Sequence, residues 1–137
     1  MERHIVGVVL ASIFITMTLA FGKYGEDSFV FHVESKEHLE EVLSTTDSLE
    51  TNDKIKFHKA EVIVCGDALN NIMDDIDTME RIASIDPDRV QLSICQSSID
   101  EHNINIADFP QEVNIISNGL VRFLELQESG YKGIDME

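Results

Sequence analysis

The chain has 137 residues, enough for one domain with its own core, and 43% of them are hydrophobic, an ordinary globular share. Its 26 acidic residues against 10 basic ones leave a formal net charge of −16. Such a surface repels phosphate backbones, which excludes nucleic acid as a partner, and it disfavours docking on an anionic membrane.

The N-terminus differs from the rest. Residues 5–21 carry no charge. As a helix this run spans roughly 26 Å, a little short of a bilayer core of roughly 30 Å. Thr18-Leu19-Ala20 places small residues where a signal peptidase reads them, with cleavage after Ala20. The reading adopted for residues 1–20 is a secretory signal peptide or an uncleaved membrane anchor, with a buried helix as the third option. Either favoured reading puts the folded domain outside the cytoplasm, with membrane contact only through this segment. Residues 21–27 then form a short linker, and residues 28–137 the domain.

From residue 28 the pattern alternates. Residues 28–33 form a short apolar, β-rich run. Ser35 caps a predicted helix on which Leu39, Val42, Leu43 and Leu49 share one face. A polar turn at 51–54 leads to a second strand, residues 56–64, ending in Cys65-Gly66. Asp67 is predicted to cap one helix with Leu69, Ile72, Met73, Ile76 and Ala83 on its inner stripe. Asp86-Pro87-Asp88 breaks it. Residues 90–95 (VQLSIC) are the third strand, and Ser98 with Glu101 has capping-box spacing and opens a short helix. Residues 112–117 are the fourth strand. Asn118 caps a last helix that Gly130 ends, and residues 131–136 add a short edge strand.

Nearly continuous apolar strands separated by helices predict an α/β fold: a three-layer α/β/α sandwich around a mainly parallel sheet. In such sheets ligands and chemistry gather at the carboxyl ends of the strands. That edge carries Cys65-Gly66-Asp67 after the second strand and Cys95-Gln96-Ser97-Ser98 after the third. Thiolate is the reactive form of cysteine, and the amides of the helix opening near Ser98 would favour it at Cys95. Cys95 is therefore either reactive, as a sulfane-sulfur carrier or redox sensor, or simply a packed small apolar side chain. Cys65 is either a strand terminus or a partner. If the two strands are neighbours, their ends lie roughly 5 Å apart, within reach of a disulfide, and two cysteines in an exported chain permit one.

His102, close after Cys95 in sequence, is a base or cation for the thiol or an exposed loop residue. His32 reads as a hydrogen-bonded strand residue, and His38 and His58 as solvent-facing. No G-x-S-x-G, P-loop or H-E-x-x-H occurs. A clustered D-x-D-x-D loop is also absent, and Asp74-Asp75-Ile76-Asp77 falls on the predicted helix. No metal or cofactor is expected.

Four stretches in this order resemble the DsrE/DsrF-like family of sulfur-relay proteins: residues 29–33 (FVFHV), 60–72 (AEVIVCGDALNNI), 90–95 (VQLSIC) and 113–134. The most specific piece is Leu126-Gln127-Glu128-Ser129-Gly130-Tyr131, similar to the family's "LQ-x-x-GY" ending. The resemblance spans about residues 28–136. It implies a sheet of about five strands, homo-oligomers such as trimers or hexamers, and persulfide transfer between donor and acceptor proteins or small thiols. On this likeness Cys95 is the sulfur-carrying cysteine. Amides around Gln96–Ser98 stabilise its anion, Gly66 and Asp67 form the opposite wall, and Cys65 and His102 stand near the thiol. Many relatives have glycine after that cysteine; here Gln96 stands there.

Overall fold

The computed structural model describes residues 25–136. The expected signal peptide or anchor lies outside them. Among the described residues no helix is long and apolar enough to cross a membrane.

The first strand, β1 (Asp27–Val33), is followed by α1 (Lys36–Glu50). Ser35 stands in extended conformation and accepts a hydrogen bond from the His38 amide at 3.1 Å, which starts the helix. Leu39, Val42, Leu43 and Thr46 form its buried face at helical spacing. The Asn52 side chain closes the next turn by accepting from the amides of Lys54 and Ile55. β2 (Phe57–Val64) then leads to two short helices, α2 (Ala68–Met73) and α3 (Ile76–Ala83).

That division corrects the single helix expected here. Asp75 leaves the helix, with φ −108° and ψ 108°, and its side chain caps the Thr78 amide. Lys36 Nζ holds the same carboxylate at 2.5 Å. A local capping residue plus a tertiary ion pair outweigh one continued turn. The break rotates Ile76 off the inner stripe, where it was expected, to 76% exposure. Ala83 is also exposed. Thr78 and Ile82 take the buried positions instead.

β3 (Val90–Cys95) runs straight into α4 (Gln96–Glu101), so the helix begins two residues before the expected Ser98, and Cys95 is its N-cap. A 3-10 turn (Ile106–Asp108) precedes β4 (Asn114–Ile116), which is shorter than the sequence suggested. Asn118 caps α5 (Gly119–Glu128) by accepting from the Val121 amide at 3.1 Å. Gly130, at φ +97°, ends it, with the Tyr131 amide on the Leu126 carbonyl and the Gly130 amide on that of Gln127. This is the Schellman arrangement, which needs a left-handed residue and so favours glycine. β5 (Lys132–Met136) completes the fold.

The strands lie in the order β4-β3-β2-β1-β5, and every pair is parallel. Three successive crossovers step in one direction, and their helices α1–α4 cover one face. The β4-to-β5 connection returns past the whole sheet, which carries α5 to the opposite face. The cores record this division. Phe31, Val62, Leu92 and Ile94 face α1–α4 in the large cluster, whereas Val30, Ile63, Cys95 and Leu126 form a small one beneath α5. The architecture is therefore the expected three-layer α/β/α sandwich, with one layer made of a single helix.

Candidate functional site

Parallel pairing brings the carboxyl ends of β2 and β3 side by side. Val64 pairs with Ile94, so Cys65 and Cys95 emerge next to each other. Their Cα atoms are 5.5 Å apart and the two are joined by a disulfide, the separation such a bond accepts. The two residues differ in access. Cys95 is 4% exposed, while Cys65 is half-buried. The pair sits beside the place where the chain leaving β3 turns toward one face and the chain leaving β4 turns toward the other. Such a divergence is where open parallel sheets form their crevices.

The helix that abuts the sulfurs is α5, not the one after Cys95. Cys95 belongs to the small cluster under α5, whereas Ile99 of α4 belongs to the large cluster on the other face. Gly119, the first residue of α5, lies directly on the pair. A Cβ there would stand 2.5 Å from Cys65 Sγ, 2.8 Å from Cys95 Sγ and 3.1 Å from Ile63 Cγ2. No larger residue fits without displacement. The positive end of the α5 dipole thus lies beside the sulfurs.

The remaining residues singled out in the sequence surround this pair unevenly. Gly66 has φ +63°, the left-handed turn that leads from β2 into α2. Asp67 follows it at the N-cap position of α2, makes no capping hydrogen bond, and has a side chain 84% exposed. His102 Nε2 lies 3.3 Å from Asp67 Oδ1. That is close enough for an ion pair once the imidazole is protonated, but it is not aligned as a hydrogen bond, and Nε2 is otherwise unpartnered. The contact ties the turn after β2 to the end of α4. Gln96 and Ser97 are exposed, Gln96 donating to Asp100 at 2.9 Å, and Ser98 is buried.

One group escaped the sequence reading, and one residue, His32, is hydrogen-bonded in its strand as expected. Beneath α5, Arg122 donates to both carboxylate oxygens of buried Glu61 at 2.8 Å each, and Ser93 Oγ donates to Glu61 at 2.6 Å. The carboxylate raises the already high pKa of the guanidinium. This clamp anchors α5 one turn beyond Gly119. Nothing in the sequence around Glu61 marks it as paired, and only the return of α5 brings it Arg122. On the far side of α5, His32 Nδ1 pairs with Asp135 Oδ1 at 2.8 Å and its ring lies 6.3 Å from that of Phe123. Among the described residues, no group of three or more His, Cys, Asp or Glu is placed to hold a metal ion.

No protein-family model matches the chain, and no curated protein matches it. Solved structures are similar, among them two proteins of unknown function. One is a protein of unknown function from Methanobacterium thermoautotrophicum, 14% identical, with a TM-score of 0.62 over 82% of this chain and 99% of that one. The other is a conserved protein of unknown function from Bacteroides thetaiotaomicron, 12% identical, with a TM-score of 0.63 over 80% of this chain and 95% of that one. At these identities the likeness speaks for the fold.

Proposed function

We propose that this chain is an exported, DsrE-like thiol-handling protein that works by thiol–disulfide exchange at Cys65–Cys95. The observation that carries the reading is the place of the pair at the carboxyl edge of the sheet: Cys95 is buried, Cys65 is only half-buried, and both sulfurs lie against the first turn of α5. A partner thiolate attacks Cys65 Sγ. The Cys65–Cys95 bond breaks and Cys95 leaves as a thiolate, which the positive end of the α5 dipole favours before it takes a proton. A second partner thiol attacks the mixed disulfide, freeing the Cys65 thiol and leaving the partner oxidised. Two electrons have then passed from two partner thiols to the protein, and the reverse sequence oxidises a partner. Export agrees with the apolar N-terminal run and with a disulfide, which persists in oxidising compartments.

A second reading keeps Cys95 as a sulfane-sulfur carrier. It is favoured by the resemblance of residues 90–95 and 113–134 to sulfur-relay proteins. Here the reduced Cys95 thiolate attacks the outer sulfur of a donor persulfide, the donor leaves as its thiolate, and the bound sulfur later passes to an acceptor thiol. At 4% exposure Cys95 needs the first turn of α5 to shift for this, so exchange through Cys65 takes precedence.

The test is equilibration of the purified protein in thiol redox buffers, with alkylation and intact-mass readout. Exchange predicts reversible reduction, with a potential more oxidising than roughly −300 mV, above the range of inert structural disulfides. Cys65→Ser is expected to abolish the cycle. A bond that native-state thiols never reduce sinks the proposal. The carrier reading requires the prereduced protein to gain one sulfur atom from polysulfide, and to lose that gain in Cys95→Ala.

A further inference from the structure

We infer that the sulfur pair selects thiols carried on positively charged molecules and discriminates against anionic ones; this rests on the exchange reading above. The inference comes from how an all-parallel sheet sorts charge. All five strands begin at one edge and end at the other. Lys56 and Lys59 stand at the start of β2, Arg89 immediately before β3 and Lys132 at the start of β5, so the basic residues gather at the N-terminal edge. The sulfurs stand at the opposite one.

At the sulfur edge the charge is acidic. Val33 pairs with Val64, so Glu34 follows in register beside Cys65, one strand spacing of about 4.8 Å away along the sheet. Asp67 is two residues past Cys65, within about 7 Å by chain length. Both are exposed; Asp100, on α4, lies over the other face of the sheet. The one lysine at this edge, Lys36, is held by Asp75 at 2.5 Å. Arg122 gives one edge of its guanidinium, Nε and Nη2, to Glu61 over the middle of β2, and Arg81 pairs with Asp47. Among the described residues, Lys36 is the only lysine at this edge; His102, beside Asp67, and His32, beside Asp135, are cations there only when protonated.

Two fields of different range therefore act on an incoming thiolate. The α5 dipole is positive but fades within the first turn, so it stabilises the sulfur that leaves. The carboxylates act over the Debye length, about 10 Å at 0.1 M salt, and oppose an approaching anion. A cationic group on the attacking molecule offsets that repulsion and turns it into steering. A cysteine flanked by lysines or a small aminothiol meets this requirement. A thiol bearing carboxylates does not.

The experiment measures reduction of the oxidised protein by cysteamine, 2-mercaptoethanol, 3-mercaptopropionate and a Lys-Cys-Lys peptide, with each rate divided by the thiolate fraction. At low ionic strength (about 0.01 M, where screening extends to about 30 Å) the expected order is cationic, neutral, anionic, spanning about tenfold or more. At about 1 M salt the spread should collapse toward unity. Glu34→Lys should shrink the spread, whereas Asp53→Lys, which changes net charge equally but lies in the turn before β2 at the other edge, should leave most of it. A peptide much faster than cysteamine assigns the preference to a protein partner, and equal corrected rates for these two assign it to charge alone. Equal corrected rates for all four thiols overturn the selectivity while leaving exchange intact. Failure of every thiol to reduce the pair overturns both.

Discussion

Gly119 is the residue on which the sulfur site turns. The two sulfurs approach it from adjacent strands, and the space they leave is that of a hydrogen atom. Alanine there gains helix propensity but must push into both sulfurs. Gly119→Ala should therefore lower stability by about 1–3 kcal/mol in urea titration. The cause is checked by repeating the substitution in a Cys65→Ala/Cys95→Ala background, where its cost should vanish or change sign. An equal cost in both backgrounds would show that the sulfurs are not what the glycine accommodates. In the amino-acid string this role is invisible. Asn118-Gly119 reads as a helix start, and so it is, but the contact with residues 54 and 24 positions earlier depends on where the helix lands. The cysteines themselves were legible, because an apolar run that ends in cysteine, in a parallel sheet, must end at the ligand-binding edge.

At the scale of elements, local signals and tertiary ones divide cleanly. The strands, the Ser35 and Asn118 caps and the Gly130 stop are all written within a few residues of where they act. The break between α2 and α3 is not, because it is completed by Lys36 from another helix. Its electrostatics are testable. The Lys36 ammonium and the Thr78 amide hold the Asp75 carboxyl at about 2, below its usual 3.8. The folded pKa lies below the unfolded one, so the stabilisation is fully present above about pH 4 and disappears as pH falls toward 2. Asp75→Asn keeps an N-cap acceptor but loses the charge. Its stability should lie below wild type at neutral pH, and the two pH curves should converge between pH 4 and pH 2. Curves that stay parallel would show that the ion pair adds nothing. The α5 layer depends on a different pair. Arg122→Met leaves the Glu61 carboxylate, 7% exposed, with only Ser93 as donor. The expected loss is about 2–3 kcal/mol. Most of it should return in the double variant Glu61→Met/Arg122→Met, since two apolar residues leave no stranded charge.

Across the whole molecule, the single-helix layer makes the disulfide a long-range constraint. α1–α4 share the large core, but α5 has only the small cluster, the Arg122–Glu61 clamp and its seat on the sulfurs to hold it. The bond also closes the β2-to-β3 crossover, a separation of 30 residues. Closing a loop of that size restricts the unfolded chain by about 3–4 kcal/mol in the chain-entropy treatment. Reduction should lower the urea midpoint accordingly. Two further consequences separate this from a purely local effect. The denaturant slope should rise, because a chain freed of its cross-link exposes more surface on unfolding. Amide exchange should also accelerate first in α5, whose seat changes when two bonded sulfurs become two thiols that cannot approach as closely, while α1 and β2 keep their protection. A uniform increase in exchange across all elements would instead mean that the cross-link acts on the unfolded state alone, and that the α5 layer is indifferent to the redox state of the pair beneath it.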